Sequence, residues 1–339
     1  MKLNRSEQNP ILSANPKNEW ENMVVLNPAV IFDDQRQEFV MLYRAAGDTE
    51  KHYIYLGLAT SKDGIHFTRQ SDKPILEPDY EGADGGCCED PRLVKFGDWY
   101  YLTYASRPYA PGRYWLDVPK PWIDPPQSGP AYLKYNNSAT FLAITQDFRH
   151  YKKLGRMTDS RLDDRDVILF PETIDGKFVR LSRPMNWAGK GFENEKPAIW
   201  IAYSGDVLEW GSPALLMKGE TWWESKKIGG SCPPIKTEYG WFHLYHGVAE
   251  KDDSYRVGAI LLDLKNPSKI IARTKDPIFE PEAPYEQSGV YNGCVFPTGN
   301  VVKDNILYVY YGAADKHVGV ATVEFSKLID YLWNDCKVV

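Results

Sequence analysis

One pattern comes round five times along this chain: a short apolar run, a polar turn and an aromatic run. The copies read NPAVIFDDQRQEFVMLYRAAG, EDPRLVKFGDWYYLTYAS, DVILFPETIDGKFVRLSRP, CPPIKTEYGWFHLYHGV and NGCVFPTGNVVKDNILYVYYGAAD. They begin near residues 27, 90, 166, 232 and 292, a period of roughly 60 to 75 residues. That is too long for a solenoid repeat and suits a propeller blade with loop insertions. Each copy supplies two strands, because runs such as residues 39–43 are β-formers and the turns carry Asp-Gly, Phe-Gly-Asp or Tyr-Gly. A third strand is expected in YIYLGLATSKDG, ATFLAITQDF, AIWIAYSGD, YRVGAILLD and HVGVATVEF. The expected fold is all-β, a five-bladed β-propeller.

An outer strand is marked by Pro74-Ile75-Leu76 and Pro277-Ile278-Phe279, and the same motif stands at Pro10-Ile11-Leu12. The N-terminal segment therefore reads as the outer strand of the last blade, closing the ring and leaving no long open edge. The stretch SKLIDYLWNDC is expected to form a short C-terminal helix beneath the ring. The repeat continues to the end of the 339 residues without a Gly/Ser linker, so residues 1–339 read as one propeller domain. An aromatic, proline-rich insertion occupies residues 107–130.

A net charge of -6 and a pI near 5.6 argue against nucleic acid or an anionic membrane as the main partner. The five cysteines, Cys87, Cys88, Cys232, Cys294 and Cys336, form no CxxC pair and read as reduced, buried thiols rather than metal ligands. MKLNRSEQNP has no apolar signal-peptide core and no run of about 18 apolar residues occurs. A cytoplasmic protein is the expectation, though a signal peptide removed ahead of Met1 would leave no trace.

Equivalent repeat positions of a propeller meet at the central channel. The first strands open with Asn27, Asp90, Arg165-Asp166, Cys232 and Asn292, and the second strands end with Arg44, Tyr104, Arg183, His246 and Tyr311. Packing alone would favour small or apolar residues there, since unpaired buried charge costs several kcal/mol. The charged set points to a polar pocket on the axis. Asp90 lies in Glu89-Asp90-Pro91-Arg92, where the proline biases it to extended geometry at the strand entrance. The local sequence equally allows an Asp that begins a turn. Arg165, Arg183, Lys227 and His246 form a cationic set suited to phosphate or carboxylate, each of which would also serve in an exposed salt bridge. In the insertion, seven prolines stiffen a loop carrying Tyr109, Tyr114, Trp115 and Trp122, whose flat faces suit stacking on sugar rings. It reads as a lid over the pocket or as a subunit contact, and the latter would go with a homo-oligomer.

The motifs EDPR, DVILFPETIDGKFVRLSRP, KKIGGSCPP, GWFHLYHGV and YYGAAD, in this order, resemble those of glycoside hydrolase family 130, five-bladed propellers that include mannoside phosphorylases. The resemblance implies that Asp90 is the general acid and that Arg165, Arg183, Lys227 and His246 bind phosphate. It places sugar contacts on Asn27, Arg44 and Asp315, and also on Asn292 and Tyr311. The implied reaction is inverting phosphorolysis of a terminal β-mannosidic bond in a mannose-containing oligosaccharide, with inorganic phosphate as co-substrate and α-mannose 1-phosphate as product. No cofactor and no metal are called for. Some members of the family are inverting β-mannosidases, which need a second carboxylate as base, and Glu172 is the candidate here. A carbohydrate-binding propeller without turnover is the reading from another class.

Overall fold

The computed structural model describes residues 1–116 and 127–338. Five antiparallel sheets succeed one another along the chain, each running from an inner to an outer strand. Blade I uses Val24–Asp33, Glu38–Ala46, Ile54–Ser61 and Thr68–Arg69, and blade II uses Glu89–Phe96, Trp99–Ser106, Ala139–Thr145 and Lys152–Arg156. Blade III follows with Asp164–Leu169, Phe178–Pro184, Ile199–Ser204 and Ala214–Met217. Blade IV has Lys227–Gly230, Trp241–Val248, Tyr255–Leu262 and Ile270–Arg273. Blade V joins Val295–Lys303, Ile306–Ala313 and His317–Glu324 to the N-terminal strand Asn4–Arg5.

The five-bladed propeller expected from the repeat is thus the fold. All five third strands fall where expected, and Asn4 pairs with Thr322 and Arg5 with Ala321, so the N-terminus closes the ring. The Pro-Ile-Leu/Phe motifs lie just beyond the outer strands and rejoin the third strand by single bridges, Leu12 to Val318, Leu56 to Leu76 and Val257 to Phe279. The first strand of blade IV starts at Lys227, earlier than the Cys232 expected, because it is interrupted at residues 231–234 and resumes as Ile235–Lys236. The C-terminal helix Phe325–Asp335 buries Leu328, Ile329 and Leu332 in one cluster with Phe242, Leu261 and Ala272 of blade IV and Val323 of blade V. Among the described residues no helix is long and apolar enough to cross a membrane.

Two repeated devices shape the ring. In blades I, II and III the innermost strand slips register, between Leu26 and Ala29, Glu89 and Arg92, and Arg165 and Ile168. The residues in these bulges are Asn27, Asp90 and Asp166, with φ of 43°, 53° and 55°. Asn and Asp tolerate this left-handed backbone better than most residues, and a bulge re-aims its side chain. The second device is a buried acid bonded by a tyrosine and a base. Glu21 accepts from Tyr43 (3.0 Å) and Arg69 (2.9 Å), and Asp84 from Tyr104 (2.8 Å) and Lys153 (2.7 Å). Glu224 accepts from Tyr245 (2.7 Å) and Arg273 (2.8 Å), and Glu286 from Tyr311 (2.8 Å) and Arg5 (2.8 Å).

These tyrosines sit one residue before the position facing the channel. Strand side chains alternate, so Arg44, Ala105, His246 and Gly312 point the other way from Tyr43, Tyr104, Tyr245 and Tyr311. Blade III has no such tyrosine. Ser182 stands at that register, paired with Trp200 across the sheet.

Candidate active site

The bulges and the ends of the second strands converge on one cavity of about 280 Å³ on the propeller axis. Asn27, Arg44, Asp90, Arg165, Arg183, Lys227, His246 and Asp315 all line it. Asn292 and Tyr311 are not in its wall. Asn292 accepts the Gly289 amide in a turn, and Tyr311 is tied to Glu286 inside blade V, which corrects the sequence expectation for both. Tyr104 is likewise bonded to Asp84 rather than facing the channel. Glu172, the candidate base, forms an exposed ion pair with Lys236 (2.5 Å) and lies outside the pocket.

Asp90 is held by two donors on one oxygen. Its Oδ1 accepts from Asn27 Nδ2 (2.6 Å) and Arg44 Nη1 (2.9 Å), and Arg44 Nη1 also faces Glu89 at 3.2 Å. Burial would raise its pKa, but Arg44, Arg92 and the Asn27 hydrogen bond outweigh it and hold Asp90 below the usual carboxylate range. Asp315 goes the other way. Burial, reinforced by Asp90 and Glu89, lifts it to about 6 against the pull of Arg44. One pocket thus holds two carboxyls whose environments separate them, a common arrangement where proton transfer is required. Asn27 packs so closely on blade V that a Cβ on Gly312 would lie 1.8 Å from its Oδ1. That oxygen and Arg44 Nε are buried with no hydrogen-bond partner among the described residues.

The cationic side is organised around Asp166, which the sequence reading put in the channel without a role. Asp166 Oδ2 receives Arg183 at 2.6 Å and lies 3.6 Å from His246 Nε2, and its Oδ1 lies 3.5 Å from Arg92. Arg165 is aligned by Asp163 (2.9 and 3.1 Å). The four expected cations are not alike. Burial lowers His246 to about 3, so it is a neutral imidazole that faces Ser231 through Nδ1 and leaves Nε2 without a hydrogen bond. Burial, with Arg183 second, lowers Lys227 to about 7 despite Asp166, and its ammonium lies 5.1 Å from the centre of the Tyr255 ring. The permanent cations are the two arginines. Two arginines aligned by carboxylates, an ionisable lysine and the unbonded Nε2 of His246, gathered on one wall, make this half of the pocket an anion site.

The remaining wall is aromatic. Tyr255 stacks on His246 (5.4 Å), Phe296 stands edge-on to it (4.8 Å), and Tyr291 stands edge-on to Tyr255 (5.3 Å). The described part of the insertion adds Pro111 and Tyr114 to the pocket. It is tied to blade I by the Gly112 amide on the Lys51 carbonyl (2.9 Å), by Arg113 with Asp48 (2.8 Å), and by Trp115 against His52 (4.5 Å). Trp122 lies outside the described residues. Arg92, Asp166 and Arg107, the last lining the pocket 3.7 Å from Glu89, were legible only indirectly. Arg92 and Asp166 adjoin or repeat the Asp90 position, whereas Arg107 has no repeat counterpart.

The family described as beta-1,4-mannooligosaccharide phosphorylase, glycoside hydrolase family 130, matches residues 2–334. A 1,2-beta-oligomannan phosphorylase of Thermoanaerobacter sp. (strain X514) is 37% identical, over 97% of this chain and 99% of the relative. A beta-1,2-mannobiose phosphorylase of the same strain is 38% identical over 96% of this chain and 99% of its own length. Among solved structures, the beta-1,2-mannobiose phosphorylase from Listeria innocua in complex with beta-1,2-mannobiose superposes with a TM-score of 0.79. Its identity is 27%, covering 98% of this chain and 99% of that one. With the pocket geometry and these end-to-end matches together, the chain belongs to glycoside hydrolase family 130.

Proposed function

We propose that this protein is an inverting β-mannoside phosphorylase that releases a terminal β-1,2-linked mannosyl residue from a mannooligosaccharide as α-mannose 1-phosphate. The observation that carries this reading is the convergence of Asp90 with Arg165, Arg183, Lys227 and His246 in one cavity. Cleavage of a glycosidic bond with inversion needs a proton on the departing oxygen and a nucleophile on the opposite face of the ring. Asp90 gives the proton, directly or through a sugar hydroxyl, and phosphate is the nucleophile, so no protein base is required. Asn27, Arg44 and Asp315 hold the sugar, Tyr255 and Tyr291 offer it flat faces, and Tyr114 narrows the mouth.

The low pKa of Asp90 belongs to the ligand-free pocket. A phosphate dianion beside it disfavours a second negative charge and lifts the carboxyl toward its acid form. Hydrogen phosphate also brings the proton that the departing hydroxyl finally carries, so Asp90 is reset each turnover with no net proton change. Positioning of the anion by fixed cations supplies the rest of the acceleration. The choice of β-1,2 linkage follows the named activities of the two Thermoanaerobacter relatives. Hydrolysis is disfavoured by the exposed ion pair that occupies Glu172.

The test is incubation with β-1,2- and β-1,4-mannobiose and mannotriose, with and without phosphate, followed by assay of mannose 1-phosphate and free mannose. Phosphate-dependent release of the α-anomer from the β-1,2 substrates is expected. Asp90→Asn should lower it by about 10²- to 10⁴-fold, the range for loss of a general acid, and Arg183→Ala should raise KM for phosphate. Free mannose formed regardless of phosphate would overturn the reading.

A further inference from the structure

Blade III departs from the repeat at one register. Where the other four blades carry a tyrosine bonded to a buried acid, it carries Ser182, and Trp200 takes the place opposite. The indole does not restore the missing bond, since Trp200 Nε1 is buried without a hydrogen-bond partner among the described residues. Arg180 Nε, on the same strand two residues before Ser182, and Asp164 Oδ1, on the innermost strand, are buried and unpartnered as well. Arg180 gives an Nη1 proton to the Met157 carbonyl (2.6 Å) rather than to Asp164. An orphaned buried polar group has given up its hydrogen bond to water and received none in return. Three lie at one place, at the register where each of the other four blades bonds a tyrosine to its buried acid, and they call for an external partner.

All three residues line one cavity of about 620 Å³, walled also by Trp187, Phe192 and Trp210. Trp187 stands edge-on to Trp200 at 4.9 Å and stacks on Phe192 at 6.2 Å, and the Arg180 guanidinium lies 4.6 Å from the Trp210 ring. The main chain of Asp164 is fixed by its amide on the Ser138 carbonyl (3.1 Å) and by Thr140 Oγ1 on its own carbonyl (3.2 Å). Burial lifts that carboxyl to about 7 against the pull of Arg180 and Arg183, so near neutrality it accepts or donates a hydrogen bond. Asp164 disfavours an anion here and Arg180 a cation. A neutral ligand with adjacent hydroxyls and an apolar face meets every requirement, and aromatic rings stack on such a face.

We infer that the blade III cavity is an accessory carbohydrate site that seats a pyranose ring of a mannooligosaccharide away from the bond being cleaved. The ligand class rests on the mannoside reading, and the location rests on blade III alone. Asp164 is the neighbour of Arg165, so the two sites share one strand and occupy its opposite faces.

The experiment titrates β-1,2-mannotriose, without phosphate, into Asp90→Asn protein by calorimetry. Two classes of binding are expected. Adding Trp187→Ala or Trp200→Phe should weaken one class at least tenfold and leave the other, and in an otherwise native background each should keep phosphorolysis of mannobiose within twofold. Trp200→Phe removes the orphaned donor while keeping a ring, which separates recognition from packing. A single class, or two classes that ignore both substitutions, overturns the inference. A dimer in sedimentation that Phe192→Ser converts to monomer, with no second sugar class, overturns it in favour of a subunit interface. Turnover of mannobiose to mannose 1-phosphate with no second class would refute this site and leave the phosphorylase reading standing. A second class without phosphorolysis would do the reverse.

Discussion

At the scale of the residue, Lys227 gives the anion cradle its pH dependence. Burial and the neighbouring Arg183 lower it to about 7, so in the ligand-free pocket it is an ammonium below that pH and a neutral amine above. Bound phosphate favours the ammonium and raises its pKa. The affinity contributed by Lys227 is therefore fully present below pH 7 and is lost as pH rises toward the higher value of the complex. The ionisation of phosphate affects every variant equally and cancels in a ratio. Lys227→Met should raise KM for phosphate about tenfold at pH 6.5, and the ratio of variant to parent should shrink toward unity by pH 9. A ratio that stays flat from pH 6 to 9 would place the lysine outside the anion site. His246, neutral through this range, should leave the profile unmoved when changed to Asn, whatever it costs in affinity.

At the scale of the element, the sequence made the blades legible because each repeats two apolar runs around a polar turn, and period and strand number follow from that alone. The register within a strand was harder. A slip of one residue turns every side chain to the other face, and this is why Tyr311 was assigned to the sugar while Gly312 is the residue facing Asn27. The start of blade IV was missed because Gly229-Gly230-Ser231-Cys232-Pro233-Pro234 carries no strand pattern, although it positions Lys227. Asp90 was legible since the repeats present polar groups where first strands open, and Arg183 and His246 since they present them where second strands end. Tyr114 was legible only as one of four aromatics in a loop read as a lid or a subunit contact, and Pro111 not at all, because a pocket wall built by an insertion has no counterpart in the other repeats. The acid–tyrosine–base sets give the element-scale prediction. Arg5→Ala leaves the fully buried Glu286 without its cation and should cost roughly 3–5 kcal/mol, the usual penalty for breaking a buried pair. Tyr311→Phe should cost less, about 1–3 kcal/mol for one lost partner. Neither should change KM for the mannoside in the folded fraction, and denaturant unfolding beside steady-state kinetics checks both. A raised KM in Tyr311→Phe would return that tyrosine to the sugar site.

At the scale of the molecule, a closed ring gathers anion-binding side chains from several blades that no single blade could keep together. Arg165 and Arg183 come from blade III, Lys227 and His246 from blade IV, and Arg92 of blade II reaches the Ser231 carbonyl of blade IV (3.1 Å) and Asp166 of blade III (3.5 Å). An anion seated among them should tie three blades together. Because phosphate binds the folded ring and not the unfolded chain, it should stabilise by RT ln(1 + [L]/Kd), about 2.7 kcal/mol at a hundredfold excess over Kd. Thermal unfolding should therefore move upward by several degrees in phosphate, less in sulfate at equal ionic strength, and not at all in chloride. Arg183→Ala and Lys227→Met should each flatten the response, whereas Asp90→Asn should keep it, since that substitution removes the proton donor and leaves the cradle intact. A shift of equal size in phosphate and chloride would mean that the salt acts on the net charge of -6 and not on this site.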